Sequence, residues 1–389
     1  MTVIDHDRHM RRALRLAGLG RHASPNPMVG CVIVDAHGYV VGEGYHHAPG
    51  GPHAEIWALR SAGMAQPTSS PSRVGRGAEE RGGVGPGATA YVTLEPCSHF
   101  GRTPPCANAL VEAGVARVVI AMTDPDRRVS GRGIEILRAA GIDVIVGVLE
   151  AEARALNAAY VKHRVSGLPW LILKSAMTLD GKIATSTGDS KWISSPIARA
   201  AVHRQLRDRC DAILTGVGTI LADDSLLTTR LARGGRNPWR VIVDSRGRTP
   251  VDATAVRQSR EDGRTIIATT AAAPQSTLET FAESGCQVIV CGDDGRGRVD
   301  LRDLMERLGT RGDMIGILAE TGGDLSASLV EGGLVDRWVL FVAPKIAGGS
   351  AAPGPIGGIG VSGMSAARHV NKWRVSRCGP DVRIDANLG

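Results

Sequence analysis

Apolar residues Met10, Ala13, Leu14 and Ala17 recur at helical spacing between Asp5 and Gly20, which predicts an opening helix. Gly30–Asp35 and Val40–Tyr45, on either side of a turn at Ala36–Gly38, read as two short strands. The pattern then alternates. It predicts a helix over His53–Ala62, a strand over Ala88–Glu95, a helix near Pro105–Ala113, a strand over Arg117–Met122, a helix over Ile134–Ala140 and a strand over Val144–Val148. Such alternation is that of an α/β sandwich with crossover connections. One stretch interrupts it: Ala65–Gly87 is rich in Ser, Pro, Gly and Arg and has no period, as expected of a mobile insert.

Glu150 to about Arg164 reads as a connecting helix, broken by Gly167-Leu168-Pro169. A second alternating series starts at Trp170. Its predicted strands are Leu171–Met177, Ala212–Gly216, Arg240–Asp244, Thr265–Ala268, Gln287–Val290, Ile315–Ala319 and Trp338–Ala343, with helices such as Ser195–Arg209 and Leu301–Leu308 between some of them. These seven strands predict a complete second α/β domain. The expected division is a first domain over 1–150, a connector over 151–168 and a second domain over 169–389, with no internal repeat relating the halves.

A length of 389 residues suits two domains, and 43% hydrophobic with 22% charged residues is a globular composition. The net charge of +7 is carried mostly by scattered arginines and suits phosphorylated small molecules, nucleic acid, or nothing beyond solubility. Without a dense basic cluster, and with aromatics at only 3%, nucleic acid is not an expected partner. Met1–Gly20 lacks an uninterrupted apolar core, so no signal peptide is expected there, and no apolar run reaches membrane-spanning length. Seven cysteines in a chain expected in the cytoplasm read as buried thiols or metal ligands. A homo-oligomer is expected.

The first candidate chemistry is a metal site. His53 opens a helix, and Cys97 and Cys106 follow some forty residues later. One imidazole and two thiolates are good Zn²⁺ ligands and leave a fourth position open for water, whose pKa such a metal lowers to about 7. Glu55 lies two residues from His53, too close along a helix to share the metal, yet well placed to take the water's proton and pass it to leaving ammonia. Pro104-Pro105 before Cys106 predicts a helix N-terminus that stabilises a thiolate. The pattern His-x-Glu…Pro-Cys…Cys is that of zinc nucleobase deaminases, although the general signature has two residues between the cysteines where this chain has eight. A closed structural zinc site, with His99 as fourth ligand, is the bland alternative.

The run from Thr93-Leu-Glu-Pro-Cys97 through His99 and Arg102 to Pro104-Pro-Cys106 narrows the class. With Ser24-Pro-Asn-Pro-Met-Val-Gly30, Gly50-Gly-Pro-His-Ala-Glu55 and Asp124-Pro-Asp…Gly131-Arg-Gly133, it resembles the deaminase half of the bifunctional riboflavin-biosynthesis deaminase/reductase family. The resemblance implies a cytidine-deaminase-like three-layer α/β sandwich. It also implies pyrimidine-nucleotide contacts from Asn26, His46, His99 and Arg102, whose amide, imidazole and guanidinium groups suit ring heteroatoms and a ribose phosphate.

In the second half, Gly358-Ile-Gly-Val-Ser-Gly363 has the form of a dinucleotide fingerprint but follows a Gly/Pro-rich loop, with too little chain beyond it for a βαβ unit. Gly216-Val-Gly218 follows a strand but lacks the third glycine. Leu173–Lys182, Gly188–Ser194, Asp211–Arg230, Arg240–Ser245, Glu320–Gly323, Phe341–Lys345 and Gly348-Gly349, in that order, resemble the reductase half of the same family. That half has a dihydrofolate-reductase-like α/β fold and uses NADPH. Carried over, Ala176, Trp192, Thr219, Asp223, Ser245 and the stretch Gly322, Gly323, Asp324, Leu325, Ser326, Ala327 and Ser328 line the cofactor. Ser190, Arg207, Leu227, Arg230 and Glu320 hold the substrate.

Gly322-Gly323 at a helix start offers N–H groups to a diphosphate, and Arg207 and Arg230 can each grip phosphate bidentately. Thr321 stands where the family has Ala or Gly. The resemblance implies hydrolytic deamination of a 2,5-diamino-6-ribosylamino-pyrimidinone 5′-phosphate, then NADPH-dependent reduction of its ribosyl to a ribityl chain. The rivals are a nucleic-acid-modifying zinc deaminase with a C-terminal binding module, and a degenerate enzyme keeping one activity.

Overall fold

The computed structural model describes residues 5–63, 84–99, 104–232, 234–370 and 372–389. The chain divides into two compact units, Met1–Ser166 and Gly167–Gly389. Of the stretch 65–87, read above as a mobile insert, residues 65–83 lie outside the described residues.

Among the described residues the first unit is built on five strands: β1 (Gly30–Val34), β2 (Val40–Tyr45), β3 (Thr89–Val92), β4 (Arg117–Ile120) and β5 (Asp143–Val146), in the order β2-β1-β3-β4-β5. β1 runs antiparallel to both neighbours, and β3, β4 and β5 are mutually parallel. β1 and β3 are buried at every position, as strands covered on both faces require. The helix Ala54–Ser61 packs directly on β2, and the glycines of Val40-Val-Gly-Glu-Gly-Tyr45 make that possible. A Cβ on Gly44 would stand 2.4 Å from Trp57 Cβ, and one on Gly42 would stand 2.3 Å from Ala58 O. The close approach fixes the helix that begins at His53. The predicted connecting helix is two, Glu150–Leu156 and Ala158–Ser166, meeting at the buried Asn157.

Among the described residues the second unit carries nine strands, two more than the pattern predicts. They are β6 (Trp170–Thr178), β7 (Ala212–Gly216), β8 (Trp239–Val243), β9 (Thr265–Thr269), β10 (Gln287–Val290), β11 (Gly316–Ala319), β12 (Arg337–Ala343), β13 (Lys372–Cys378) and β14 (Asp381–Asn387). Their order is β10-β9-β8-β7-β11-β6-β12-β14-β13. All pairs are parallel up to β12, and the added hairpin β13–β14 is antiparallel. The hairpin's signal is present as strict alternation (Trp373, Val375; Val382, Ile384) around Gly379-Pro380.

Alternate residues of the central strands feed two cores. Leu173, Leu214, Val241 and Ile317 pack on one face, and Ile213, Ile242, Ile267 and Leu318 on the other. The helix predicted over Ser195–Arg209 ends at Gln205, and a 3₁₀ turn follows at Arg207–Arg209. Among the described residues no helix is long and apolar enough to cross a membrane. The Gly358–Gly363 run lies in irregular, mostly exposed chain, as its setting in the sequence implies.

Candidate active sites

In the first unit, His53 is the N-cap of the helix Ala54–Ser61, and its side chain makes no capping bond. Its Nδ1 lies 3.5 Å from Cys97 Sγ and 3.3 Å from Cys106 Sγ. A tetrahedral zinc with ordinary bond lengths sets N···S separations of roughly 3.6 Å, so the three donors already stand at ligand spacing. All three atoms fall within 4.8 Å of one another, and no fourth His, Cys, Asp or Glu joins them among the described residues. His99 is exposed and outside the group, so the closed site weighed above is not formed there.

The Cys106 thiol, then the His53 ring, donate to Cys97 and pull its thiol down, while the bond to Cys97 pushes His53 up to about 9. The predicted helix N-terminus exists, Cys106–Glu112 with Pro105 as N-cap. Its N–H serves Cys97 rather than Cys106: Cys106 N donates to Cys97 Sγ at 3.3 Å. The Cys106 thiol is pushed up instead, by its bond to Cys97 and its burial.

Glu55 is 3% exposed, and its Oε2 is buried without a hydrogen-bond partner. Burial raises this carboxyl to about 7. A buried carboxyl oxygen left unpaired beside a three-donor cluster is costly unless something bound there uses it. Asn26 and His46 stand together: Asn26 Nδ2 donates to His46 Nε2 at 3.1 Å, and His46 Nδ1 donates to Pro52 O at 3.1 Å. Burial lowers the His46 pKa, consistent with this neutral tautomer, and its ring meets His53 edge-on at 5.4 Å. Arg102 lies outside the described residues.

Two supports of this site are not evident from spacing. Glu95, 5% exposed, accepts backbone N–H bonds from Asp124, Gly131, Gly133 and Ile134. It ties the Asp124–Gly133 segment to the turn carrying Cys97. A Cβ on Gly133 would lie 2.0 Å from Pro96 O, which explains the glycine. Asn157 holds the Asn26 loop: its Oδ1 accepts from Met28 N at 2.8 Å, and its Nδ2 donates to Met28 O at 2.9 Å.

In the second unit a cavity of about 1220 Å³ lies over the C-terminal ends of β8, β7, β11 and β6. Parallel α/β sheets bind ligands at that edge. Ser190, Arg207, Leu227, Arg230 and Glu320 all line it, as do Ala176, Trp192, Thr219, Asp223, Ser245, Gly322, Gly323, Asp324, Leu325 and Ser328. Ser326 and Ala327 do not; both are buried beneath the helix Gly323–Glu331, with Ser326 Oγ 2.7 Å from Thr321 Oγ1. Helical periodicity turns those two residues inward. Thr321, the departure noted above, therefore braces the helix start. Gly323 is a close approach, since its Cβ would lie 2.8 Å from Gly354 O. Trp192 is 61% exposed, and Asp223 pairs with Lys191 at 3.0 Å.

The expectation for Arg207 changes. Its Nε and Nη2 grip Glu320 at 2.7 and 2.9 Å, and Nη1 donates to Thr228 O at 2.9 Å. A fork already filled by a carboxylate does not also grip phosphate bidentately. Lys174 Nζ stands 3.9 Å from Glu320 Oε2. Burial would raise the Glu320 carboxyl, but Arg207 and Lys174 overcome it and hold the group at about 2. His203, missed because it sits in an ordinary polar helix stretch, accepts Arg230 N at 3.2 Å. Burial, then Arg207 and Arg230, push it down to about 4.

Fold and sites together define a class: a two-domain enzyme with a zinc-type hydrolytic deaminase unit followed by an α/β reductase unit. Comparison with known proteins makes the class specific. The family described as "RibD C-terminal domain" matches residues 169–384, and the "Cytidine and deoxycytidylate deaminase zinc-binding region" matches residues 3–122. The riboflavin biosynthesis protein RibD of Actinobacillus pleuropneumoniae is 42% identical, covering 99% of this chain and 95% of its own length. That of Escherichia coli is 40% identical, covering 96% and 97%.

Acinetobacter baumannii RibD superposes with a TM-score of 0.84 at 34% identity, covering 99% of each chain. A Thermotoga maritima diaminohydroxyphosphoribosylaminopyrimidine deaminase/5-amino-6-(5-phosphoribosylamino)uracil reductase gives 0.80 at 33% identity, again with 99% coverage. The chain belongs to the RibD family of bifunctional riboflavin-biosynthesis enzymes, with a zinc-binding deaminase domain and an NADPH-dependent reductase domain. A nucleic-acid-modifying deaminase is not favoured, because the second unit matches the RibD C-terminal domain.

Proposed function

We propose that the first unit deaminates 2,5-diamino-6-(5-phosphoribosylamino)pyrimidin-4(3H)-one and that the second reduces the product to 5-amino-6-(5-phosphoribitylamino)uracil. The observation that carries the first step is the three-donor cluster beside the unpaired, buried Glu55. His53, Cys97 and Cys106 would hold zinc, which when bound acidifies a water. Glu55 accepts that water's proton and returns it to the leaving amine, so water and substrate give a carbonyl and ammonia. Asn26 and His46, fixed by each other and by Pro52 O, read the pyrimidine edge. His99 and Arg102 are assigned to the ribose phosphate.

In the second unit NADPH, when bound, would supply a hydride to the opened ribosyl carbon. Glu320, oriented by Arg207 and Lys174, faces the sugar, Arg230 takes the phosphate, and Ser190 and Leu227 of the wall hold the rest of the substrate. The cofactor would lie along Ala176, Trp192, Thr219, Asp223, Ser245 and the helix start at Gly322-Gly323. Aligning the reactants and holding the phosphate are what hydride transfer chiefly requires of the protein.

Three further assignments accompany this. The chain acts in a reducing compartment, the cytoplasm, because the zinc donors must stay as thiols. Its partner is the small phosphorylated pyrimidine, not nucleic acid. It forms a homo-oligomer, for which the β13 edge with exposed Trp373 and Val375 offers a pairing surface. Incubation with the diaminopyrimidinone phosphate tests the function: ammonia appears without NADPH, and NADPH is consumed only after ammonia is released. NADPH consumption with no ammonia would overturn the assignment.

A further inference from the structure

With the fork of Arg207 filled by Glu320, Arg230 is the arginine left for the substrate phosphate, and the side chain against it is His203. His203 lies on the helix Pro196–Gln205, one turn before Arg207. Ala198, Ala201 and Val202 of that helix are buried in the core, which leaves His203 half-buried at its flank. There it lines the cavity together with Arg230.

The two residues meet in an arrangement that neither completes. Arg230 brings two N–H donors to one imidazole: its backbone N stands 3.2 Å from Nδ1, and its Nη2 stands 3.3 Å from Nε2. A neutral imidazole has one acceptor nitrogen and one N–H, and a guanidinium accepts nothing. The backbone N–H is fixed by the chain and claims Nδ1, so the ring proton belongs on Nε2. Nε2–H and Nη2–H then face each other as two donors with no acceptor between them.

A second ring proton does not relieve this, because it would break the Nδ1 bond and add a cation. The charged groups facing His203 are Arg207, Arg230, Lys174 and Glu320, and burial with the cations keeps the ring neutral, at about 4. Glu320 is already answered by Arg207 and Lys174. Among the described residues no carboxylate stands within ion-pair distance of Arg230. Two opposed donors on a cavity wall, in a field of positive charge, are completed by an oxyanion, whose oxygen accepts from both.

We propose that His203 is a ligand of the substrate's 5′-phosphate, donating through Nε2–H beside Arg230, while the backbone N–H of Arg230 holds the ring in that tautomer. This rests on the reductase assignment above. Steady-state reduction of 5-amino-6-(5-phosphoribosylamino)uracil and of its dephosphorylated counterpart by the full chain tests it. His203→Asn keeps an oxygen near the Nδ1 position for Arg230 N and has no donor at the Nε2 position. It is expected to raise KM for the phosphorylated substrate about 10- to 100-fold with kcat within about twofold, and to leave the dephosphorylated substrate within about twofold. His203→Gln, whose amide N–H reaches the Nε2 position, should return KM to within about fivefold of wild type.

A merely structural role would weaken both substrates alike. An unchanged ratio of kcat/KM for the two substrates in folded His203→Asn therefore overturns the proposal and leaves the reductase assignment intact. Should that variant not fold, ribose 5-phosphate added to the wild-type chain is expected to shift the Nε2–H resonance of His203, assigned by its loss in His203→Gln. No shift at concentrations that inhibit reduction overturns the proposal. A wild-type chain that reduces neither substrate overturns both readings.

Discussion

Replacing Glu320 by Gln removes the carboxylate that Arg207 grips at 2.7 and 2.9 Å and that Lys174 faces at 3.9 Å. Its side chain is 15% exposed and that of Arg207 11%, so the pair is screened little by solvent. The carboxyl is held at about 2, against an ordinary 4.5. A folded-state pKa below the unfolded one adds stability that is fully present above 4.5 and lost as pH falls through 2. That shift corresponds to about 3 kcal/mol at neutral pH, and to less than half of that near pH 3. Loss of one partner of a buried pair gives a similar figure, about 3–5 kcal/mol, because the cations are left uncompensated.

Glu320→Gln should therefore destabilise the second unit by about 3 kcal/mol at pH 7, with a smaller cost near pH 3. Urea unfolding followed by tryptophan fluorescence measures this, since Trp170, Trp192, Trp239, Trp338 and Trp373 all lie in that unit and only Trp57 in the other. A cost below about 1 kcal/mol, or one equal at both pH values, would refute the claim that Glu320 is an ionised, cation-held group.

Glu55→Gln should cut ammonia release by about 10²- to 10⁴-fold while zinc stays bound and NADPH oxidation on supplied deaminated substrate is unchanged; parallel loss of both activities in a folded chain contradicts the two-site account. Glu95→Ala strands buried N–H groups of Gly133 and its neighbours and should cost about 3 kcal/mol or more, with faster zinc loss to a chelator, whereas a melting temperature within about 2 °C of wild type rules out its role as a tie. His203, held down to about 4 from 6.5, stays neutral in the folded chain where the unfolded chain takes up a proton. Acidification from pH 6.5 toward 4 therefore destabilises the second unit, and His203→Gln should flatten that slope in pH-dependent denaturation; an identical slope counts against it.

Much of the first site is legible in the sequence because its chemistry is local. His53 and Glu55 share one helix start, and Cys97 and Cys106 flank one loop. The central strands are equally plain, because both faces are covered and Val241, Ile242 and Val243 leave an unbroken apolar run. What spacing does not reveal is pairing over distance. Arg207 reads as a free phosphate ligand until folding brings Glu320, 113 residues away, into its fork. Glu95 looks like one more motif residue until four N–H groups converge on it. Ser326 and Ala327 read as part of the cofactor stretch because a run of sequence does not show which way a helix faces; burial turns them inward. The hairpin β13–β14 gives a weak sequence signal although its alternation is strict, because β13 is exposed along most of its length and thus poor in apolar runs.

Metal analysis of the purified chain tests the central claim most directly. One zinc per chain is expected, and Cys97→Ser should lower zinc content and ammonia release together. Undiminished release of ammonia from the pyrimidine by a chain carrying no transition metal would contradict it.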